Sequence, residues 1–110
     1  MKIRKIAETL EYEIVQNDFE DDDITEGYTS DLLSDVMAHA PADSAFITIQ
    51  AHKNAVAVSS LAGVLAIIIC NSRPIPDDMT AAAAEEGIAI LRTSEDQFTA
   101  SYKLARALGK

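Results

Sequence analysis

The stretch LAIIICNSRPIPDDMTAAAAEEGIAILRT, residues 65–93, contains two apolar runs separated by a polar turn and an alanine-rich segment. The first run, residues 64–70, is apolar nearly throughout, which is typical of a strand covered on both faces of a parallel sheet. Pro76 suits the first turn of a helix, and Gly87 suits its end. Residues 88–91 predict the next strand. A strand, a helix and a strand joined by short connections predict parallel pairing through a right-handed crossover.

The same alternation continues on both sides of this stretch. SAFITIQ, residues 44–50, predicts a strand, and residues 54–62 predict a helix that Gly63 ends. The residues of that helix expected to face inward are Ala55, Val58, Leu61 and Ala62. SEDQ, residues 94–97, matches a capping box in which the Ser94 hydroxyl begins the last helix. One side of that helix is lined by Phe98, Tyr102, Ala105 and Leu108.

Shorter elements are predicted towards the N-terminus. An opening helix has one apolar face, formed by Ile3, Ile6, Ala7 and Leu10. Residues 12–16 and 24–29 predict two brief strands. Ser30 is expected to cap the next helix, which Pro41 ends. The core-facing stripe of that helix is expected to consist of Leu32, Leu33, Val36, Met37 and Ala40.

Together these elements predict an α/β fold in one domain, residues 1–110. The expected architecture is a three-layer α/β/α arrangement with a mainly parallel sheet of about five strands. The pattern does not decide whether the two N-terminal strands join the main sheet or form a separate edge.

Composition narrows the classes of function. The formal net charge is -9, which disfavours binding to nucleic acid or to anionic membranes. The only cysteine, Cys70, lies in an apolar run, so we expect a buried, unreactive thiol and no disulfide within the chain. No apolar stretch reaches the ~18 residues that a membrane helix needs. The opening MKIRKIAETLEYE lacks the pattern of a secretory signal, and we expect a cytoplasmic protein.

A candidate site follows from the fold, because ligands of open α/β sheets bind beyond the carboxyl ends of the strands. The candidate ligand-binding residues at those ends are Gln50, His52, Lys53, Asn54, Asn71, Ser72 and Arg73. Arg92, Thr93 and Ser94 occupy the corresponding place after the last strand. Helix N-termini and the positive charges of Lys53, Arg73 and Arg92 favour a small anion there. The alternative interpretation is that these residues form only solvated turns and helix caps.

The sequence gives weaker support to catalysis and to metal binding. His52 has the side chain of a general base, but no partner is evident, and a surface or capping role is the alternative. Asp31, Asp35 and His39 share one predicted helix face, which offers few ligands for a metal. The acidic residues 18–23 lack the spacing of a calcium loop and predict a charged loop. We therefore predict no metal, no cofactor and no catalytic residue.

Two segments carry a resemblance to a known family. GYTSDLLSDVMAHA, residues 27–40, and the long segment from FITIQ to SEDQF, residues 46–98, resemble the DRTGG domain. That module is similar to the N-terminal domain of HPr kinase/phosphorylase and also occurs in some inorganic pyrophosphatases. The match extends over residues 3–104 and is nearest to small stand-alone versions. Where the motif has Asp-Arg-Thr, this chain has His52, Lys53 and Asn54, and where it has Gly-Gly, this chain has Asn71 and Ser72.

The resemblance implies a three-layer α/β domain that regulates or senses, has no catalytic activity and forms a homodimer. We accordingly predict a regulatory or small-ligand-sensing domain rather than an enzyme. Candidates for the dimer interface are Tyr28, Leu32, Met37 and parts of the SDVMAHA helix, residues 34–40. One alternative is a scaffold for a redox or kinase partner, with the acidic loop steering a basic protein. A less favoured one is an enzyme or phosphotransfer partner that uses His52, Asp31 or Ser72.

Overall fold

The computed structural model describes all of residues 1–110 and contains five helices and five strands. The elements, in chain order, are α1 (Ile3–Leu10), β1 (Glu13–Gln16), β2 (Glu26–Thr29), α2 (Leu33–His39), β3 (Ser44–Thr48), α3 (Lys53–Ala62), β4 (Ala66–Ile69), α4 (Asp77–Glu86), β5 (Ala89–Arg92) and α5 (Gln97–Ala107). No helix is both long enough and apolar enough to cross a membrane.

The strands form a single sheet in the order β1-β5-β4-β3-β2. The four strands from β5 to β2 are parallel to one another, and only β1 runs antiparallel, beside β5. Both N-terminal strands therefore join the main sheet, one at each edge. The predicted α/β fold with a mainly parallel sheet of five strands is confirmed.

Two apolar cores, one on each face of the sheet, make this a three-layer structure. Helices α1 and α5 cover one face, and α2, α3 and α4 cover the other. Because successive strand residues point to opposite faces, β3, β4 and β5 supply both cores at once. On the α1/α5 face, Ala45, Ala66 and Ala89 stand side by side in register, and small side chains there let the helices approach closely. On the other face the matching row is Phe46, Ile67 and Ile90.

Two predicted helix caps are wrong. The Ser30 hydroxyl accepts a hydrogen bond from the Leu32 amide at 3.2 Å, so it closes a turn before α2 rather than capping the helix. In α5 the cap is Asp96, whose carboxylate accepts from the Thr99 amide at 2.8 Å. Ser94 lies two residues too early because its loop first forms a turn, in which the Glu95 amide donates to the Thr93 hydroxyl.

Several apolar residues predicted to face inward are exposed. Leu61 on α3 is 75% exposed, and Leu32 and Met37 near α2 are 64% and 52% exposed. Leu61 and Met37 lie on helices, and Leu32 is the residue that precedes α2. Val36 alone is fully buried in α2, and Ala55, Val56, Val58 and Ser59 are the buried residues of α3. The 3.6-residue period of apolar residues thus predicts that these helices form, but it does not predict which of their apolar residues face the core.

A polar cluster joins the segment after α1 to α5 beside the first core. The Tyr12 hydroxyl donates to one oxygen of Glu95 at 2.5 Å, and the Lys103 ammonium donates to the other. Burial alone would raise the pKa of Glu95, but these two hydrogen bonds outweigh it and hold that pKa below its usual range. The Glu95 carbonyl also accepts from the Asn71 amide at 2.9 Å, so the cluster reaches the turn after β4.

The two-sided core generates a prediction about stability. Ile68→Ala removes a fully buried side chain from the centre of β4 and is expected to cost about 2–5 kcal/mol of unfolding free energy. Leu61→Ala, at an exposed apolar position, is the matched control and is expected to change stability by less than about 0.5 kcal/mol. Urea denaturation measures both. Equal losses at the two positions would contradict this assignment of the core.

The Glu95 cluster generates a prediction about pH. Because its pKa is lowered in the folded state, ionised Glu95 stabilises the fold at neutral pH, and this contribution is lost as pH falls through the lowered pKa. Wild type should therefore exceed Glu95→Gln in unfolding free energy at pH 7, and the difference should shrink below the ordinary carboxyl pKa of about 4.3. Glu85→Gln, at an exposed carboxylate without an ion pair, is the control for general charge effects. A wild-type advantage that persists at pH 2 would refute the cluster's role.

Candidate ligand-binding site at the carboxyl edge of the sheet

The carboxyl ends of the three central strands meet at one edge. Thr48, Ile69 and Arg92 are register partners across β3, β4 and β5. The loops that follow these strands therefore start side by side, as the sequence predicts. We call this edge the carboxyl edge. Each of its loops leads into the N-terminus of a helix, α3, α4 or α5, where the helix dipole is positive.

The loop after β3 is held by its own hydrogen bonds. The Gln50 amide donates to the Thr48 hydroxyl at 3.1 Å, and the Gln50 side chain donates to the Asp31 carbonyl at 3.0 Å. His52 is the N-cap of α3, because its Nδ1 accepts from the Asn54 amide at 3.0 Å. A ring nitrogen used in this way does not serve as a base. The capping alternative for His52 is the one that the geometry supports.

The turn after β4 has an unusual backbone. Asn71 and Ser72 both adopt the left-handed conformation, with φ values of 59° and 49°. Their amides donate to the Glu95 and Thr93 carbonyls, both at 2.9 Å, and the Arg73 amide donates to the Cys70 carbonyl at 3.3 Å. All three amides are thus consumed within the protein. The turn does not offer its backbone to an anion, and only its side chains face outward.

These two left-handed positions are the ones where the DRTGG motif has Gly-Gly. Glycine adopts positive φ without the steric penalty that other residues pay. The geometry at Asn71 and Ser72 therefore gives a backbone reason for a glycine pair at this turn. In this chain the turn keeps that shape without glycine, held by the hydrogen bonds of its amides.

Asp31 is the most connected side chain of the carboxyl edge. Its Oδ1 accepts from the Thr48 hydroxyl at 2.9 Å, the Ile49 amide at 3.1 Å and the Gln97 side chain at 3.0 Å. Burial alone would raise the pKa of Asp31, but these hydrogen bonds and the nearby positive charge of Arg73 hold it below its usual range. Its position directly after β2 is the sequence signal that places it here.

The proposed metal geometry at Asp31, Asp35 and His39 does not form. Asp31 lies two residues before α2 begins, so it is not on a helix face with the other two. Asp35 instead accepts a hydrogen bond from the Tyr28 hydroxyl at 2.7 Å. No three His, Cys, Asp or Glu side chains come together in a group that could hold a metal ion.

The positive charges of the carboxyl edge differ in how far they are neutralised. Arg92 is bound to Glu13, with its Nη2 2.9 Å from the carboxylate. Lys53 and Arg73 form no ion pair within 4 Å and are exposed. Lys53 is also the first residue of α3, at the positive end of the helix dipole. The cations of this edge that form no ion pair are therefore Lys53 and Arg73, of which Arg73 acts electrostatically on Asp31.

The structure does not gather the seven predicted site residues into one cavity. Ser72 shares a polar hollow of about 200 Å³ with Glu13, Arg92, Thr93 and Ser94. Lys53 and Asn54 border a second hollow of about 270 Å³, whose far side is formed by α4. The carboxyl edge is therefore an open, shallow surface, on which a ligand would lie across the loops.

Cys70 lies directly beneath this edge and is completely buried. Burial and the neighbouring carboxylates of Glu95, Asp31 and Asp96 raise the pKa of its thiol to about 11. A thiol with so little thiolate is unreactive. Cys70 is a core residue, as its apolar run predicts.

Comparison with known proteins identifies a similar fold. No family model matches the chain, and no curated protein matches it. A crystal structure of the CBS and DRTGG domains of the regulatory region of Clostridium perfringens pyrophosphatase, complexed with the activator diadenosine tetraphosphate, superposes with a TM-score of 0.71. The match has 16% sequence identity and covers 91% of this chain and 44% of that one, so this chain spans less than half of the regulatory region. The chain has a DRTGG-like α/β fold.

Proposed function

We propose that this protein is a non-catalytic regulatory domain that binds a small anionic ligand at the carboxyl edge and acts as a homodimer. The proposed ligand is a phosphorylated small molecule, with nucleotide polyphosphates as the first candidates. The proposed contacts are those predicted from the sequence: Gln50, His52, Lys53, Asn54, Asn71, Ser72 and Arg73. A cytoplasmic location belongs to the same proposal.

The observation that carries this proposal is a pair of exposed cations at the carboxyl edge. In a chain of net charge -9, Lys53 at the start of α3 and Arg73 in the turn after β4 form no ion pair within 4 Å. The N-terminus of α3 adds its dipole at Lys53. Because the amides of the Asn71 turn are used internally, side chains would supply the contacts to phosphate. The pyrophosphatase regulatory region, of which 44% superposes on this chain, is complexed with the activator diadenosine tetraphosphate.

The non-catalytic part of the proposal is supported by the state of the candidate groups. His52 is fixed as a helix cap, the Cys70 thiol is buried with a raised pKa, and Asp31 is held by three hydrogen-bond donors. A nucleophile with a base in hydrogen-bond contact, as acyl or phosphoryl transfer to the protein requires, is not assembled from these residues.

An interaction protein that binds a basic partner is the second candidate, favoured by the loop of residues 18–23. Part of its charge is neutralised, because Asp23 lies 3.4 Å from the Lys2 ammonium. Asp18, Glu20 and Asp22 remain exposed without ion pairs. Association through this loop would weaken as salt rises, whereas ligand binding at the carboxyl edge would not depend on these three carboxylates.

Thermal-shift titration tests the ligand site with diadenosine tetraphosphate, ATP and inorganic phosphate as probes. Ligand at a hundred times its Kd stabilises a folded protein by about 2.7 kcal/mol, which is a readily measured rise in Tm. Lys53→Ala and Arg73→Ala should each weaken polyphosphate binding about tenfold, the usual order for one charged hydrogen bond. Both residues are exposed, so the variants should fold normally.

Arg106→Ala is the matched control, because Arg106 is an exposed arginine beside α1, away from the carboxyl edge. It should bind the probes as wild type does. The absence of stabilisation by any probe at millimolar concentration would overturn the ligand site. An equal loss in Arg106→Ala would show that binding reflects general charge alone.

A further inference from the structure

The outer edge of β2 is an unpaired strand edge. β2 contacts β3 on one side only, and all four of its residues are at least partly exposed. The opposite edge strand, β1, has an irregular register between Ile14 and Gln16, a feature that discourages further pairing. β2 pairs with β3 in continuous register over all four residues. Its open side is therefore the better template for an additional strand.

Helix α5 adds an apolar surface beside this strand. The Thr29 and Ser101 hydroxyls are hydrogen-bonded at 2.7 Å, which places α5 directly over β2. Phe98 is 81% exposed and Tyr102 is 50% exposed, and their rings stack with centroids 6.1 Å apart. An exposed aromatic pair is costly to leave in water and is typical of an interface.

A hollow between the strand and the helix makes this surface concave. Its volume is about 160 Å³, and it is bordered by β2, by Ile47 and by the inner residues Leu104 and Leu108 of α5. Gly27 contributes to it by having no side chain, since a Cβ there would lie 2.9 Å from Leu104 Cδ2. We call the open edge of β2 together with Phe98, Tyr102 and this hollow the β2/α5 face.

Charge distinguishes this face from the rest of the molecule. Its charged residues are Glu26 and Lys110, which neutralise each other at 2.6 Å. The chain as a whole carries a net charge of -9, so two copies repel each other across most orientations. The β2/α5 face lets two copies meet without opposing their carboxylates. A basic partner would find no unpaired acidic group on it.

We propose that the β2/α5 face is the interface through which two copies of this chain associate about a two-fold axis. A strand edge is self-complementary under such an axis, because β2 then pairs antiparallel with the same strand of the partner. The sheet would become continuous across ten strands, and each Phe98 and Tyr102 would be buried against the other copy. Of the interface candidates from the sequence, Tyr28 belongs to β2, but its side chain packs on the opposite face of the sheet and donates to Asp35. Leu32 and Met37 lie at α2, on that same opposite face. The inference rests on the proposed homodimer and specifies its location.

Sedimentation velocity from low to high micromolar concentration tests the interface. Wild type should dimerise, and Phe98→Glu should weaken dimerisation by about thirtyfold or more, as expected for loss of an aromatic anchor together with burial of two charges. Leu61→Glu is the matched control, because Leu61 is an equally exposed apolar residue on α3, across the sheet, and should leave the dimer intact. Circular dichroism checks that each variant is folded.

A second measurement does not depend on any variant. Hydrogen exchange of the wild-type β2 amides should slow as protein concentration rises, while exchange in β1 should not change. If Phe98→Glu fails to fold, Tyr102→Glu and this exchange experiment decide the question. A dimer that tolerates both substitutions and leaves β2 unprotected would overturn this interface and keep the homodimer. A chain that stays monomeric would overturn both the β2/α5 interface and the homodimer. The ligand titration would be unaffected by that result, because it tests the carboxyl edge separately.

Discussion

Complete burial of three neighbouring parallel strands on both faces is the constraint on which this structure depends. Every residue of β3 and β4, and all of β5 except Arg92, is buried. A strand covered on both sides has nowhere to place a charged side chain along its length. Polar residues are therefore displaced to the strand ends, and the register that aligns the apolar rows also aligns those ends. The core and the candidate site are two results of the same packing.

The carboxyl edge also shows how the layers are joined. Asp31 connects the end of β2 to the loop after β3 and to the start of α5. Glu95 connects Tyr12, which follows α1, to α5 and to the turn after β4. Both carboxylates are used within the protein, and so are the amides of the turn. The groups that face outward at this edge are consequently side chains, and among them Lys53 and Arg73 are positively charged and form no ion pair.

The sequence predicts the central part of this fold well, because apolar runs such as residues 64–70 identify fully buried strands directly. It predicts the alignment of their carboxyl ends for the same reason. It fails where the outcome depends on distant partners. Leu61 fits the apolar period of α3, yet nothing in the local sequence indicates that the sheet leaves that side uncovered. Ser30 and Ser94 have hydroxyl groups that can cap a helix, but each lies in a turn that forms before its helix begins. The sequence does not predict the hydrogen bonds of Asp31, because they form only when β2 joins the sheet beside β3.

The turn at Asn71 and Ser72 can keep its shape with different side chains. Its left-handed backbone is fixed by hydrogen bonds to the carbonyls of residues 93 and 95, and glycine is not required to keep it. Side chains at these two positions are then free to vary while the main chain stays in place. A domain built in this way can exchange the chemical groups it presents without redesigning its scaffold, so relatives with the same architecture need not recognise the same molecule.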